Sequence, residues 1–135
     1  MPFEDLREWI GRVEALGELE RIDGAHWDLE IGAITDLYQQ RPGSPALLFD
    51  NIPGYASGLR VLSNSCMSIR RIALSMEMPP DFSAMDMVRQ WKNLGDTLKM
   101  IPPVEVKDGP VLENQLQGED VDVLAFPAPK WHELD

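Results

Sequence analysis

The sequence has little of what secreted and membrane proteins use. Its one cysteine, Cys66, has no partner in the chain for a disulfide bond. The first residues show no basic segment followed by an apolar run, so we expect no secretory signal. No apolar run approaches the roughly 20 residues that a transmembrane helix needs. These features predict a cytoplasmic protein without a membrane span.

Basic side chains are also scarce. The chain has 12 lysine and arginine residues against 23 aspartate and glutamate residues, which gives a net charge of −11. Such an excess of negative charge repels the phosphate backbone of nucleic acids and the surface of anionic membranes. We therefore expect no nucleic-acid partner. The 135 residues are enough for one ordinary domain with its own core.

The pattern of the chain is organised around residues 45–65. Residues 46–49 form a short apolar run between turn residues, which is typical of a strand covered on both faces. The run also fits a buried helix segment, and we predict the strand. Turn-forming residues follow at 50–54, and residues 59–62 predict a second strand.

The first 45 residues predict a strand between two amphipathic helices. An apolar stripe at 6–16 predicts a helix in which Trp9 is a core residue. Residues 19–22 alternate between apolar and polar side chains and predict a strand at the sheet edge. A second stripe at 29–38 predicts a helix that Asp28 caps. Strand, helix and strand then form a right-handed crossover if the two strands are parallel.

A third helix is predicted after Ser68, which is its expected cap. Ile72 and Ala73 face the core in this helix, and Arg70 and Arg71 fall on the other face. The two arginines are interpreted as a solvated helix face. The alternative is that they hold a phosphate or a carboxylate.

A fourth helix is predicted to begin at the Ser83 to Asp86 spacing, a variant of the capping box. Its apolar stripe continues to the two prolines at 102–103. The methionines of the stripe and Trp91 are typical of a core or of a domain interface rather than a cofactor pocket.

Three features could carry chemistry, and we assign a catalytic, cofactor-binding or metal-binding role to none of them. His26 has no cysteine or second histidine near it in the sequence and is interpreted as a turn residue. Cys66 has no evident base that would activate its thiol. The acidic segment 118–122 lacks the alternating oxygen ligands of a calcium loop and is interpreted as a solvated turn.

The chain changes character at residue 104. Two short alternating runs at 104–107 and 111–116 flank an Asp-Gly pair and predict a hairpin. Residues 126–135 are extended and rich in proline, and they complete no apolar stripe. We therefore divide the chain into an N-terminal α/β domain at 1–103 and a segment at 104–135 that leads toward a further domain. On this interpretation the chain is part of a longer polypeptide.

Short motifs lie along the whole chain. The most extended of them are PALLFDNIPGY at 45–55 and FPAPKWHELD at 126–135. The others lie at 5–7, 17–22, 29–36, 61–64, 71–73 and 118–122. Together these motifs resemble the N-terminal domain of UbiD-type carboxy-lyases. Their order and spacing carry the resemblance, and no single motif does.

The resemblance implies a full-length enzyme that reversibly and non-oxidatively decarboxylates aromatic or α,β-unsaturated carboxylic acids. It implies prenylated FMN, Mn²⁺ and K⁺ in a flavin-binding split-barrel domain beyond residue 135, and a homo-oligomer. No catalytic group of the family can be placed on this chain, and His132 is expected to orient the interdomain strand. The chain is thus expected to be a small mixed sheet flanked by helices that binds no cofactor and is inactive alone.

A second hypothesis comes from another class of protein. The chain would be a free-standing interaction module that docks onto a partner through the helix at 84–99 and the tail at 126–135. The methionines of that helix and the prolines of the tail motivate it.

Overall fold

A mixed three-stranded sheet lies at the centre of the structure. In the computed structural model, which describes residues 3–95 and 97–135, β1 (Leu19–Asp23) pairs in parallel with β2 (Ala46–Asp50). β2 pairs antiparallel with β3 (Val61–Ser63), so the strand order is β1-β2-β3. The predicted mixed sheet, with the first strand at its edge, is confirmed. β3 begins two residues later than the sequence pattern indicated.

β2 is apolar without alternation because helices cover both faces of the sheet. Leu48 packs with Trp9, Ile10 and Val13 of the helix α1 (Leu6–Ala15). Leu47 and Phe49 pack on the other side with Ile31 of α2 (Glu30–Gln39). Side chains of consecutive strand residues point to opposite faces, so an uninterrupted apolar run fills two cores. The strand prediction for 46–49 is confirmed, and the buried-helix alternative is wrong.

α1 has both the cap and the core face that its sequence predicts. Its N-cap is Asp5, whose side-chain oxygen accepts a hydrogen bond from the Glu8 N–H at 3.0 Å. Trp9 is buried, and its indole Nε1–H donates to the Ser75 hydroxyl at 2.9 Å. Ser75 is the last residue of α3 (Ile69–Ser75), so this bond joins the first helix to the third.

The start of α2 differs from the prediction. Asp28 is not the cap, because Leu29 occupies the N-cap position with a φ of 67° and makes no side-chain capping bond. The Leu29 N–H instead donates to the carbonyl oxygen of Lys130 at 3.1 Å. A backbone group from the C-terminal segment thus takes the place of a capping side chain.

The two later helices begin as predicted, and the second of them ends early. Ser68 caps α3 by accepting from the Arg71 N–H at 3.1 Å. At the start of α4 (Ala84–Gly95), Ser83 and Asp86 each accept a bond from the other's backbone N–H, both at 3.2 Å, as in a capping box. α4 ends at Gly95 and does not reach residues 102–103.

The predicted hairpin does not form. Residues 104–107 and 111–116 contain no strand, and the regular structure after Thr97 consists of short 3₁₀ turns at Pro110–Leu112, Gly118–Asp120 and Val123–Ala125. Val104 and Val106 are exposed. An isolated two-stranded hairpin is marginal in water, and these short runs contact no sheet that would bury one of their faces. The division of the chain at residue 104 stays a prediction.

Among the described residues, no helix combines the length and the apolar character that crossing a bilayer requires.

The cap of α1 predicts a loss of stability in acid. Hydrogen bonds from the Glu8 N–H and the Arg7 guanidinium lower the pKa of Asp5 below its usual value, so the folded state binds this proton less readily than the unfolded chain. The stabilisation is present above the ordinary aspartate pKa of about 3.9 and is lost as the pH falls through the lowered value.

We therefore expect Asp5→Asn to reduce the fall in melting temperature between about pH 5 and pH 3, since asparagine caps almost as well but does not titrate. Asp81→Asn removes an exposed carboxylate in a turn and is the control. Thermal unfolding followed by circular dichroism measures both. Equal acid sensitivity in wild type and Asp5→Asn would show that the cap contributes nothing to it.

Candidate functional site

The two adjacent arginines of α3 bind one carboxylate, and that carboxylate belongs to the same chain. Arg71 Nη1 lies 2.9 Å from Glu18 Oε2, and Arg70 Nη1 lies 3.1 Å from Glu18 Oε1. The Ser68 hydroxyl also donates to Glu18 Oε2. The prediction of a solvated face is wrong for Arg71, which is 0% exposed. Carboxylate binding, the alternative, is what the structure shows, and its ligand is internal.

Arg71 uses its remaining donors on backbone carbonyls. Its Nε–H donates to Ser65 at 3.2 Å, and Nη2 donates to Ser44 at 2.7 Å and to Asn64 at 3.1 Å. Burial lowers the pKa of Arg71, and the charge of Glu18 opposes that shift. The side chain therefore ties together three loops around the sheet and has a structural role. Its burial could not be found from helical spacing, because its partners Glu18 and Ser44 lie far from it in the sequence.

The other candidate residues are not brought together. His26 is exposed in the turn before α2, where its Nδ1 accepts from the Asp28 N–H at 3.0 Å and its ring stacks on Trp27. Cys66 is exposed after β3. The acidic segment 118–122 contains a single 3₁₀ turn. Within residues 3–95 and 97–135, no three His, Cys, Asp or Glu side chains lie close enough to hold a metal ion.

His132 lies against α2. Its Nε2 is 3.8 Å from Asp36 Oδ2, and its Nδ1 is 3.6 Å from Asp135 Oδ1. Asp135 Oδ2 accepts the backbone N–H groups of His132 and Trp131, and these bonds lower the pKa of Asp135. The imidazole is mostly exposed and lies between these two carboxylates.

A cleft that no sequence motif indicated lies beside α1. It has a volume of about 380 Å³, with an apolar floor of Ile10, Leu48 and Leu62 and with Arg7 and Arg60 at its margin. This volume is within the range of small-molecule pockets. Its lining comes from three separate parts of the chain, at 5–10, at Leu48 and at 58–62, so only the fold could reveal it.

α4 presents an apolar surface that the described residues do not cover. No residue of this helix is buried, and Trp91 is 60% exposed. Met76, Met87, Val88 and Trp91 line a groove of about 260 Å³, which we call the α4 groove. A large exposed apolar patch is typical of an interaction site. The prediction that this stripe packs in a core is therefore wrong for the described residues. The prediction that it forms a domain interface fits the exposure of its side chains.

Comparison with known proteins places this fold in a family. The sequence model of the 3-octaprenyl-4-hydroxybenzoate carboxy-lyase N-terminal domain, UbiD_N, matches residues 10–91. The chain belongs to this family. The matched region of the UbiD_N domain runs from α1 into α4 and so contains the sheet, α2, α3 and the Glu18–Arg71 pair. The resemblance stated from the motifs is confirmed.

Curated and solved relatives extend the likeness beyond the UbiD_N match. Pyrrole-2-carboxylic acid decarboxylase of Pseudomonas aeruginosa is 33% identical over an alignment 140 positions long, which covers 97% of this chain. Vanillic acid decarboxylase of Sedimentibacter hydroxybenzoicus, in an open form, matches with a TM-score of 0.81 and 25% identity over 97% of this chain. Its closed form matches with a TM-score of 0.67 and 24% identity over 83%.

The UbiD_N chain is shorter than these relatives. It spans 28% of the pyrrole-2-carboxylic acid decarboxylase, 28% of the open vanillic acid decarboxylase chain and 24% of the closed one. The relatives therefore contain a much longer polypeptide than the domain described above.

The ion pair between Glu18 and Arg71 predicts that substitutions of the two neighbouring arginines differ in their effect on stability. Arg71→Ala leaves the largely buried Glu18 carboxylate with weaker compensation and three carbonyls without their donor, so we expect a loss of about 3–5 kcal/mol in the free energy of unfolding. Arg70→Ala removes the half-exposed partner and is expected to cost less than about 1 kcal/mol. Urea unfolding measures both, and equal losses would contradict the assignment of Arg71 as the central residue.

Proposed function

We propose that this UbiD_N domain is the scaffold domain of a decarboxylase that acts on aromatic or α,β-unsaturated carboxylic acids. The observation that carries the proposal is the alignment of 97% of the chain, at 33% identity, with a pyrrole-2-carboxylic acid decarboxylase. The likeness to a vanillic acid decarboxylase supports the same reaction type. Both named substrates are aromatic carboxylic acids.

The chemistry is proposed to lie in a further domain of the same polypeptide. The family resemblance implies prenylated FMN, held together with Mn²⁺ and K⁺, and the flavin would supply the electron sink for loss of CO₂. The described residues do not fit them, since no three potential ligands cluster and no buried side-chain nitrogen or oxygen lacks a partner there. We therefore assign these groups to the remainder of the polypeptide and derive no step from them on this domain.

The role left to this domain is to support the catalytic domain through its uncovered surface. The α4 groove offers apolar and polarisable side chains, which suit packing against a second domain. The scarcity of cysteine fits a cytoplasmic enzyme. The family resemblance implies that the whole polypeptide forms a homo-oligomer. The free-standing module has no observation that favours it over this assignment.

Decarboxylation by the whole polypeptide tests the proposal. The natural gene product, produced with a source of prenylated flavin, is expected to release CO₂ from at least one acid in a panel that includes pyrrole-2-carboxylate and vanillate. Residues 1–135 alone are expected to be inactive, because they lack the cofactor site. Turnover by that short chain, or no turnover of any acid by flavin-loaded whole enzyme, would refute the assignment.

One substitution in the α4 groove is expected to have a small effect in residues 1–135 and a larger effect in the whole polypeptide. Trp91→Ser is expected to change the free energy of unfolding of residues 1–135 by less than about 0.5 kcal/mol, because the side chain is exposed. In the whole polypeptide the same change is expected to weaken domain association by about 2 kcal/mol or more, as at a central interface aromatic residue.

Leu37→Ser is the control for this prediction, because Leu37 is also exposed, at 57%, and belongs to α2 rather than to α4. Denaturant unfolding of both proteins, together with proteolysis at the domain junction, measures the difference. An equally small effect of Trp91→Ser in both contexts would remove the α4 groove as the interface.

A further inference from the structure

Residues 127–135, which we call the strap, return to the α/β unit and contact the start of α2. Lys130 and Asp28 form a parallel β-bridge, in which the Lys130 N–H donates to the Trp27 carbonyl at 3.0 Å. The Leu29 N–H donates to the Lys130 carbonyl at 3.1 Å. The docking is thus made mainly by backbone groups, as when a strand is added to an edge.

Gly32 is the position on α2 that admits the strap. A Cβ atom at this residue would lie 2.7 Å from the Trp131 carbonyl oxygen and 2.9 Å from its Cα, closer than real contacts allow. Gly32 is the third residue of α2, and glycine in a helix costs up to about 1 kcal/mol relative to alanine. The close approach of another backbone is a physical reason for a glycine at that cost.

The start of α2 has a second feature that fits this docking. Leu29 has a positive φ, which is uncommon for a residue with a branched side chain, and no side chain caps the helix. The strained turn places the Leu29 N–H where the Lys130 carbonyl accepts it. At the far end of the strap, the imidazole of His132 lies between the carboxylates of Asp36 and Asp135.

We infer that the first turn of α2 is a built receptor for the strap and that Gly32, by admitting the Trp131 backbone, fixes the direction in which the polypeptide leaves the α/β unit. Gly32 is on this view a positioning residue. The domain that the strap would orient is the catalytic domain of the proposed function, so that part of the inference rests on the proposed function. The docking itself does not.

Hydrogen exchange in the whole polypeptide tests the receptor. Gly32→Ala is expected to make the Leu29 and Lys130 amides exchange about tenfold faster or more, because both donate across the contact. The amides of β2 are expected to keep their protection. Gly11→Ala is the matched control, since Gly11 is also helical and a Cβ there meets nothing within 4 Å.

Unchanged exchange of Leu29 and Lys130 in Gly32→Ala would overturn the inference. If the β2 amides also exchange faster in Gly32→Ala, the variant has unfolded. The Lys130→Pro variant then tests the receptor, because proline removes only the strap N–H that donates to the Trp27 carbonyl. Faster exchange of Leu29 in Lys130→Pro supports the receptor, and unchanged exchange refutes it. A failure to decarboxylate any acid would leave these exchange rates as they are, so the two proposals fail separately.

Discussion

The buried guanidinium of Arg71 is the interaction on which the rest of the structure depends. A charge without access to water is tolerated only when its donors are paired, and Arg71 bonds to Glu18 and to three backbone carbonyls. The groups that it joins come from the start of β1, the loop before β2 and the turn after β3. This charge cluster therefore holds together segments of the chain around the sheet, and its carboxylate partner is internal.

The two faces of the sheet are covered by two different helices. α1 and α2 each cover one face with apolar side chains, and both contact the fully buried β2. The described part of the chain after α3 adds little to these cores, and α4 has no buried residue. The molecule is thus a small α/β/α unit with apolar surface in its later third, which suits a domain that supports another.

Sequence patterns predicted the features that depend on neighbours in the chain. The uninterrupted run at 46–49, the Ser68 cap and the Ser83 capping box were correct because strand burial and caps are local properties. The role of Arg71 was missed because its partner Glu18 is 53 residues away in the sequence. The cap of α2 was missed because Lys130 is even further from its partner Leu29. The hairpin at 104–116 failed for the opposite reason, since local alternation had no tertiary partner. The family resemblance was correct because it rests on the order and spacing of motifs that lie far apart in the sequence.

The bond between Leu29 and Lys130 has a consequence for biosynthesis. The acceptor for the first turn of α2 is made after the whole sheet and α3 have been synthesised. At about 5–20 residues per second, the roughly 55 residues between the end of α3 and Lys130 take roughly 3–11 s to synthesise. During that interval the nascent α/β unit has its core but not its C-terminal strap, so the Leu29 N–H does not yet have its acceptor.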